Sequence, residues 1–370
     1  MSKQNSDLPI KKHPLMEKGL LIFVLVLLAF PFVFSLVSGT GLNAGLTKFW
    51  QGQLIDFFIM AVFAMSYDLL IGYAGVLSFG HAASFGGGAY AAGLLLKFLS
   101  PKVLANPIMI GSFNFSWILM LLIVLVVVLL VSILIGLLFS ATSIRLKGAY
   151  FAMLTLALAG AINILSKATD FVKWTGADEG MHALPVPPWM DPTQNRLTFY
   201  FIALAVLLVS FYLMRRMVLS PAGSVVVATR ENEDRTRMIG YNPIRYRTLA
   251  FVSASIFAGF AGALYAMWTT SATPSMTSAT MTVNALIMTI LGGLGTLVGP
   301  LMGAGIMQIV GQFFYTWFGA RWPLVFGVLF ILIVMFLPYG IVGTWRLRKQ
   351  NLKEGWQRLL GLLNLRNNKG

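Results

Sequence analysis

The side chains able to do chemistry are few, and most lie in strongly apolar surroundings. Asp68 sits four residues before Gly72, and His81 follows Ser78 by three positions. Ionisable groups inside a membrane span are costly and usually face a cavity or a partner. Together the two would offer a proton path to an ion-coupled transporter, although one carboxylate makes that path thin. For His81 alone, a structural bond to a neighbouring carbonyl is the stronger reading. Asp56 lies near a helix start and suits an interfacial or helix-dipole role. His13 and His182 fall in separate terminal and loop regions and no H-E-x-x-H pattern occurs, so a metal site has little support. The absence of cysteine removes disulfides, thiolate ligands and cysteine nucleophiles together. No glycine is followed by lysine, so the phosphate-cradling G-x-x-x-x-G-K-[ST] pattern is missing. The residues therefore predict no enzyme and no cofactor, and any ATP used must bind another subunit.

The elements that position these side chains are set by composition. With 58% hydrophobic and 11% charged residues in 370 positions, the chain has too little polar surface to cover a soluble globule. Apolar runs longer than the roughly 18 residues that span a bilayer recur along it. A β-barrel would show alternating polarity, which runs such as Ile118 to Leu138 lack. The expectation is an all-α polytopic membrane protein with about ten transmembrane helices, near 19–38, 53–72, 79–98, 116–140, 148–168, 198–217, 248–269, 282–298, 299–318 and 323–344. It is flanked by a basic N-terminal segment, 1–18, and a basic tail, 345–370. Leu20 to Phe34 is read as an uncleaved first helix, since no A-x-A pattern closes it.

The formal charge of +15 reflects topology rather than nucleic acid. Segments 1–18, 142–147, 214–247 and 345–370 hold four, two, seven and seven Lys and Arg residues, twenty of the 27. An even number of spans puts these four segments on one side. The positive-inside rule makes that side cytoplasmic, with both termini there and the chain in a bacterial-type cytoplasmic (inner) membrane surrounded by lipid.

Three stretches depart from ordinary spans. Residues 72–93 hold seven glycines with Ser78, His81 and Ser84 among them. Such backbone can unwind around a transport site or allow close helix packing, and both readings stand. A second cluster, Gly292 to Gly305, favours a tight hairpin punctuated at Gly299 and Pro300. The loop 219–247 is the longest on the basic side. Ala222 to Ile239 reads as one short helix, with Gly240 suited to its left-handed C-terminal position and Pro243 beyond it.

Four segments in this order resemble the permease subunits of ABC importers for branched-chain amino acids, in particular the LivM-like branch. They are Ile71-Gly72-Tyr73-Ala74-Gly75 with Ser78-Phe79-Gly80-His81-Ala82-Ala83, then Arg145-Leu146-Lys147-Gly148-Ala149-Tyr150, then the loop with Gly240 and its continuation to Gly262-Ala263-Leu264-Tyr265, and lastly Leu291 through Pro300. Together they cover most of 66–305. The urea and short-amide branch is compatible with Arg230 to Glu233 and Gly240 to Pro243 as well.

The resemblance implies an assembly of this chain with a second related permease, two cytoplasmic ATP-binding subunits and an extracytoplasmic substrate-binding protein. It makes Arg230, Glu231, Glu233, Arg235, Gly240 and Tyr241 the expected ATPase-docking surface. The stretch with Ser78, His81, Ser84, Phe85 and Gly87 is the expected translocation path, and Asp68 is an intramembrane polar group that either touches transport or is structural. The chain departs from the family pattern at Arg235 and Thr236, at Asp68 where asparagine is expected, and at Ala177 where a glycine is expected beside Thr175, Gly176 and Gly180.

Overall fold

The computed structural model describes residues 14–105, 109–110, 113–143, 146, 148–336 and 340–344. Residues 1–13, Arg145, Lys147 and the tail from 345 lie outside that set. Where the chain is described it is mostly helical, and its strands are one antiparallel pair of two residues each, β1 (Met109–Ile110) and β2 (Phe113–Asn114).

Helix α1 (Pro14–Ser38) leads to α2 (Gly45–Asp68), which runs on through a π-helical turn, Leu69–Tyr73. After an irregular stretch come α3 (His81–Leu94), a second π-helical turn and α4 (Ser100–Ala105). Helices α5 (Ser116–Ser143) and α6 (Gly148–Lys167) follow, then the single turn α7 (Val172–Thr175) and α8 (Arg196–Val218). The charged loop forms α9 (Pro221–Glu231) and α10 (Glu233–Met238), and the chain ends its described part with α11 (Pro243–Thr269), α12 (Ala279–Gly292), α13 (Val298–Phe318) and α14 (Trp322–Phe336).

Seven helical stretches among the described residues are long and apolar enough to cross a membrane, and the apolar part of α1 and all of α12 are shorter. One of the seven runs from Val298 to Ile333 through α13 and α14. The chain reverses within it at Gly319. A Cβ on Gly311 would meet the Trp322 ring at 3.6 Å, and one on Gly340 would lie 2.5 Å from Gly293, back near the start of α13. Thus α13 and α14 are an antiparallel hairpin, as two expected spans there require. The expected span 282–298 is different. Its helix stops at Gly292, because Gly293 (φ 116°), Gly295 (φ 71°) and Leu297 (φ 51°) turn the backbone out of the right-handed helical region. The hairpin turn therefore lies at 293–297, and Gly299 and Pro300 sit inside the first turn of α13, where proline costs no intrahelical bond.

Helix α2 is the axis of the bundle: 83% of its apolar window is buried inside the protein, against 22% for α6. The exposed Leu, Met and Tyr side chains of α5 and α6 suit hydrocarbon instead. Helices α3, α5 and α11 approach through small residues. A Cβ on Gly88 would lie 2.6 Å from Gly259 Cα, and one on Gly262 would overlap the Phe85 carbonyl. Lipid offers helices no hydrophobic drive to associate, so contacts this close supply the attraction. The glycines of 72–93 thus serve both packing and unwinding. At the far end of the bundle from α9, Ala177 stands at φ 51°, a left-handed position where the expected glycine would carry less strain.

Gly88→Ala should cost about 3 kcal/mol by overpacking backbone against backbone. Gly160→Ala, where a Cβ meets nothing within 4 Å, should cost none. Size-exclusion profiles in mild detergent check the contrast: the first variant loses its monodisperse peak and the second keeps it.

Candidate functional site

Between the π turn and α3 the chain runs irregularly from Ala74 to Gly80, at the end of the bundle that carries α9 and α10. Backbone of this kind inside a membrane protein needs partners for its amides. The protein supplies them with hydroxyls. Phe79 N donates to Thr155 Oγ1 of α6 at 3.1 Å, Gly80 N to Ser78 Oγ at 3.2 Å, and Ala82 N to Thr282 Oγ1 of α12 at 2.9 Å. Tyr67 Oη of α2 donates to the Ser78 carbonyl at 3.0 Å. Three helices therefore hold the start of α3 in place.

The expected path residues fall into two groups. Ser78, His81, Ser84 and Phe85 are buried. His81 stacks on Phe63, with ring centroids 5.3 Å apart, and its Nε2 lies 2.8 Å from Ser66 Oγ. Ser66 gives its own proton to the Phe63 carbonyl, so His81 Nε2 is the donor of the pair. Ser84 Oγ donates to Ser255 Oγ of α11 at 3.0 Å, and Phe85 packs on Phe63 and Tyr265. Gly87 looks elsewhere, toward Ile135 of α5. In this conformation protein side chains fill the space around the first group.

Asp68, the last residue of α2, is fully buried. Its Oδ1 accepts from Gly295 N at 2.7 Å and its Oδ2 from Leu297 N at 3.3 Å, so one carboxylate caps the turn between α12 and α13. Gly72 must be glycine for this approach, since a Cβ there would sit 2.5 Å from Gly295 N. Asp68 and His81 belong to separate hydrogen-bond sets.

The charged segment meets the same place from outside. It is two helices rather than the single one expected, because Asn232 leaves the helical region (φ −158°, ψ 105°) and caps α10 by accepting from Arg235 N at 2.9 Å. Ser220 caps α9 in the same way, and Asn242 caps α11, whose first residue is Pro243. Gly240 has φ 94°, as its position after a helix predicts. Arg230 donates to the Gly72 carbonyl of the π turn, and its stem lies against Gly75. Val226 packs with Ala74 and Ala250. Glu233 is held by Arg247 of α11 at 2.9 Å and by Arg237 at 3.6 Å. Beyond these anchors the tip is open: Met238, Ile239 and Tyr241 are 86%, 68% and 46% exposed, and Glu231 and Arg235 are exposed beside them. Thr236, a departure from the family pattern, is buried with its hydroxyl on the Asn232 carbonyl.

Sequence reading did not single out Thr155, Thr282 or Arg247, and it named Gly295 and Leu297 only within the Leu291 to Pro300 motif, without their bonds to Asp68. A lone threonine in an apolar helix carries little signal, and the acceptor for Arg230 is a backbone carbonyl that any residue could supply. Among the described residues no group of His, Cys, Asp and Glu could hold a metal ion.

Residues 51–337 match the family described as "Branched-chain amino acid transport system / permease component". The high-affinity branched-chain amino acid transport system permease protein LivM of Escherichia coli is 24% identical over 94% of this chain and 80% of its own length. The probable branched-chain amino acid transport permease LivM of Methanocaldococcus jannaschii is 24% identical over 78% of this chain and 92% of its own. The BraD permease of Pseudomonas aeruginosa is 25% identical over 43% of this chain and 53% of its own. No solved structure matches. With the match running from the middle of α2 past the end of α14, this chain belongs to the branched-chain amino acid transport permease family.

Proposed function

We propose that this chain is one of two membrane-spanning permeases of an ATP-driven importer for branched-chain or related apolar amino acids. An extracytoplasmic binding protein delivers the solute, and two cytoplasmic ATP-binding subunits drive the cycle. The observation that carries this reading is the α9–α10 segment: a charged helical pair with an exposed apolar tip, tied by Arg230 and Val226 to the π turn and the irregular stretch at that end of the bundle. A lever of that kind needs a moving partner outside the membrane, and an ion-coupled carrier would leave it without one.

The concentration of Lys and Arg on the side of α9 and α10 supports placing the docking tip and both termini in the cytoplasm. ATP-driven closure of the partners would push on the tip, and Arg230 would pass the displacement to Gly72 and the stretch that follows. Differential affinity of the ATPases for the two bundle states is what couples the cycle. The translocation path runs along α3 near Ser78 to Gly87, opened when α3 moves relative to α5.

Affinity purification from membranes in mild detergent should bring down an ATPase with the intact chain and lose it with Glu233→Arg, Gly240→Pro. Retention of the ATPase by that variant would refute the docking assignment. Arg230→Gln should leave the assembly intact but lower uptake in proteoliposomes about tenfold relative to ATP hydrolysed, the size of a typical coupling energy. Gly87→Trp, in an assembly of normal yield, should abolish uptake if α3 lines the path. Normal uptake would remove that placement.

A further inference from the structure

Two carboxylates stand in the apolar stretch Gly45–Tyr73, and they are satisfied differently. Backbone amides occupy both oxygens of Asp68. Asp56 uses one: its Oδ1 accepts from Trp268 Nε1 of α11 at 2.8 Å, and no described residue donates to its Oδ2. The residue is partly exposed, and that oxygen is not sealed by protein. Arg196, at the start of α8, does not close it. Its Nη1 donates to the Lys48 carbonyl at 2.9 Å and its Nε to the Pro192 carbonyl at 3.0 Å, while its guanidinium lies 5.2 Å from the centre of the Trp268 ring. It acts on Asp56 through space, without an ion pair. The helix dipole does not explain the residue either, because that field acts within the first turn and Asp56 stands about three turns beyond Gly45. A carboxylate at membrane depth with a free oxygen marks a pathway or a missing partner.

The face of α2 that carries Asp56 shows which. Phe49, Gln53, Asp56, Met60, Phe63 and Tyr67 follow one another at spacings of three and four, and so line one side of the helix. Phe49 is 42% exposed, Gln53 and Asp56 are partly exposed, Met60 is 9% exposed, and Phe63 and Tyr67 are fully buried. The face is thus open at the end away from α9 and closes toward the core. Where it closes it meets the expected path: Phe63 packs on His81 and Phe85, and Tyr67 donates to the Ser78 carbonyl. Tyr265, one turn before Trp268 on α11, packs on the same Phe85. Polar groups flank the open part. Gln53 bonds Gln308 and Gln312 of α13, and all three are only partly buried. A row of amides beside a carboxylate suits water rather than hydrocarbon.

We infer that this face is a cation-selective vestibule at the end of the bundle away from α9, in which Asp56 Oδ2 takes the ammonium of an amino acid before the solute reaches Phe85 and His81. That the ligand is an amino acid rests on the transport reading above; the negative charge and the open face do not. Trp268 fixes the carboxylate through Oδ1 and leaves the second oxygen for the incoming donor. A bond between an ammonium and a carboxylate is among the stronger hydrogen bonds, so one free oxygen suffices to discriminate. An apolar acid that lacks the ammonium finds no such partner, and the vestibule therefore selects amino acids over the corresponding fatty acids. Met60 and Phe63 close its inner end in this conformation.

The chain has no cysteine, so a single one can be placed without background. Gln53→Cys in the full chain, in membrane vesicles of fixed orientation, should react with membrane-impermeant methanethiosulfonates added on the side away from α9. The cationic ethyltrimethylammonium reagent should react faster than the anionic ethylsulfonate. Adding Asp56→Asn, which keeps an oxygen for Trp268, should lower the cationic-to-anionic rate ratio about tenfold, and Asp56→Glu should restore most of it. Leu134→Cys, on a side chain 70% exposed on the outer face of α5, should be inert to both reagents. In the assembled importer Asp56→Asn should lower leucine uptake about tenfold while the ATPase stays attached, and Asp56→Glu should recover part of it. An inert Gln53→Cys, a ratio unchanged by Asp56→Asn, or normal leucine uptake by that variant would overturn the assignment. Labelling is read on the chain alone, so a native chain that labels as expected yet imports no leucine sinks the transport reading and leaves the charged vestibule standing.

Discussion

Three chain segments converge on the carboxylate of Asp68, and the arrangement of that end of the bundle follows from it. The turn after α12 places two backbone amides, Gly295 and Leu297, where no helix or strand can satisfy them. An amide left unpaired in a membrane protein costs several kcal/mol. A carboxyl group with two oxygens answers both, each oxygen accepting one bond. Asparagine, which the family pattern leads one to expect here, could present its oxygen to one amide only and would turn an N–H toward the other. The departure at Asp68 is thus matched to a turn that needs two acceptors. It also fixes Gly72, since the turn passes too close for a side chain, and it places the anion near Arg230, whose guanidinium reaches the Gly72 carbonyl.

The same accounting explains the rest of the irregular backbone. Between Ala74 and Ala82 the peptide groups turn to Thr155 of α6, Thr282 of α12 and Tyr67 of α2, and to Ser78 of the stretch itself. Interhelical bonds of this kind average about 0.6 kcal/mol each in membrane proteins, too little for any one to lock the structure. Their value is in number and direction: they position α3 while the backbone contacts at Gly88 and Gly262 bring it against α11. Hydroxyls can exchange partners with small rotations, so the stretch can be reset without exposing bare amides to hydrocarbon.

How much of this was legible in the sequence depends on the range of the interactions. Long apolar runs placed the spans of α2, α3, α5, α6, α8 and α11, because span length and hydropathy are local properties. Gly240 after a helix and the structural character of the Gly292–Gly305 cluster were likewise readable from local turn chemistry. The turn itself was misplaced at Gly299 and Pro300, since proline is as comfortable in the first turn of a helix as beyond its end. Asn232 splits the charged segment because it caps α10, a choice that its neighbours in sequence leave open. What sequence could not reveal is pairing at a distance. Asp68 with Leu297, Arg230 with Gly72 and Ala82 with Thr282 join residues 158 to 229 positions apart, and one partner in each pair is a backbone group with no identity of its own. His81 shows the complementary limit: its type suggested chemistry, while its stacking on Phe63 and its bond to Ser66 become visible only in the fold.

The mechanical consequence lies in where regular helix ends. Helix α2 does not stop cleanly at Asp68 but loosens through a π turn, a form often found at functional sites within helices. After it the chain passes Gly75 at φ 69° and regains helical order only at His81. The charged segment touches this loosened region rather than the rigid helices on either side, through Arg230 at Gly72 and Gly75 and through Val226 at Ala74. A push on a rigid helix would have to move the whole packed core, which resists continuous deformation. A push on a short stretch that has left the regular helical pattern needs only a change in a few backbone angles, of the kind hinges absorb. Because Asp68 pins the near end of that stretch to the α12–α13 turn, the proposed displacement at Arg230 would be carried forward into α3. The buried carboxylate that satisfies a turn would therefore also be the fixed point of the proposed lever.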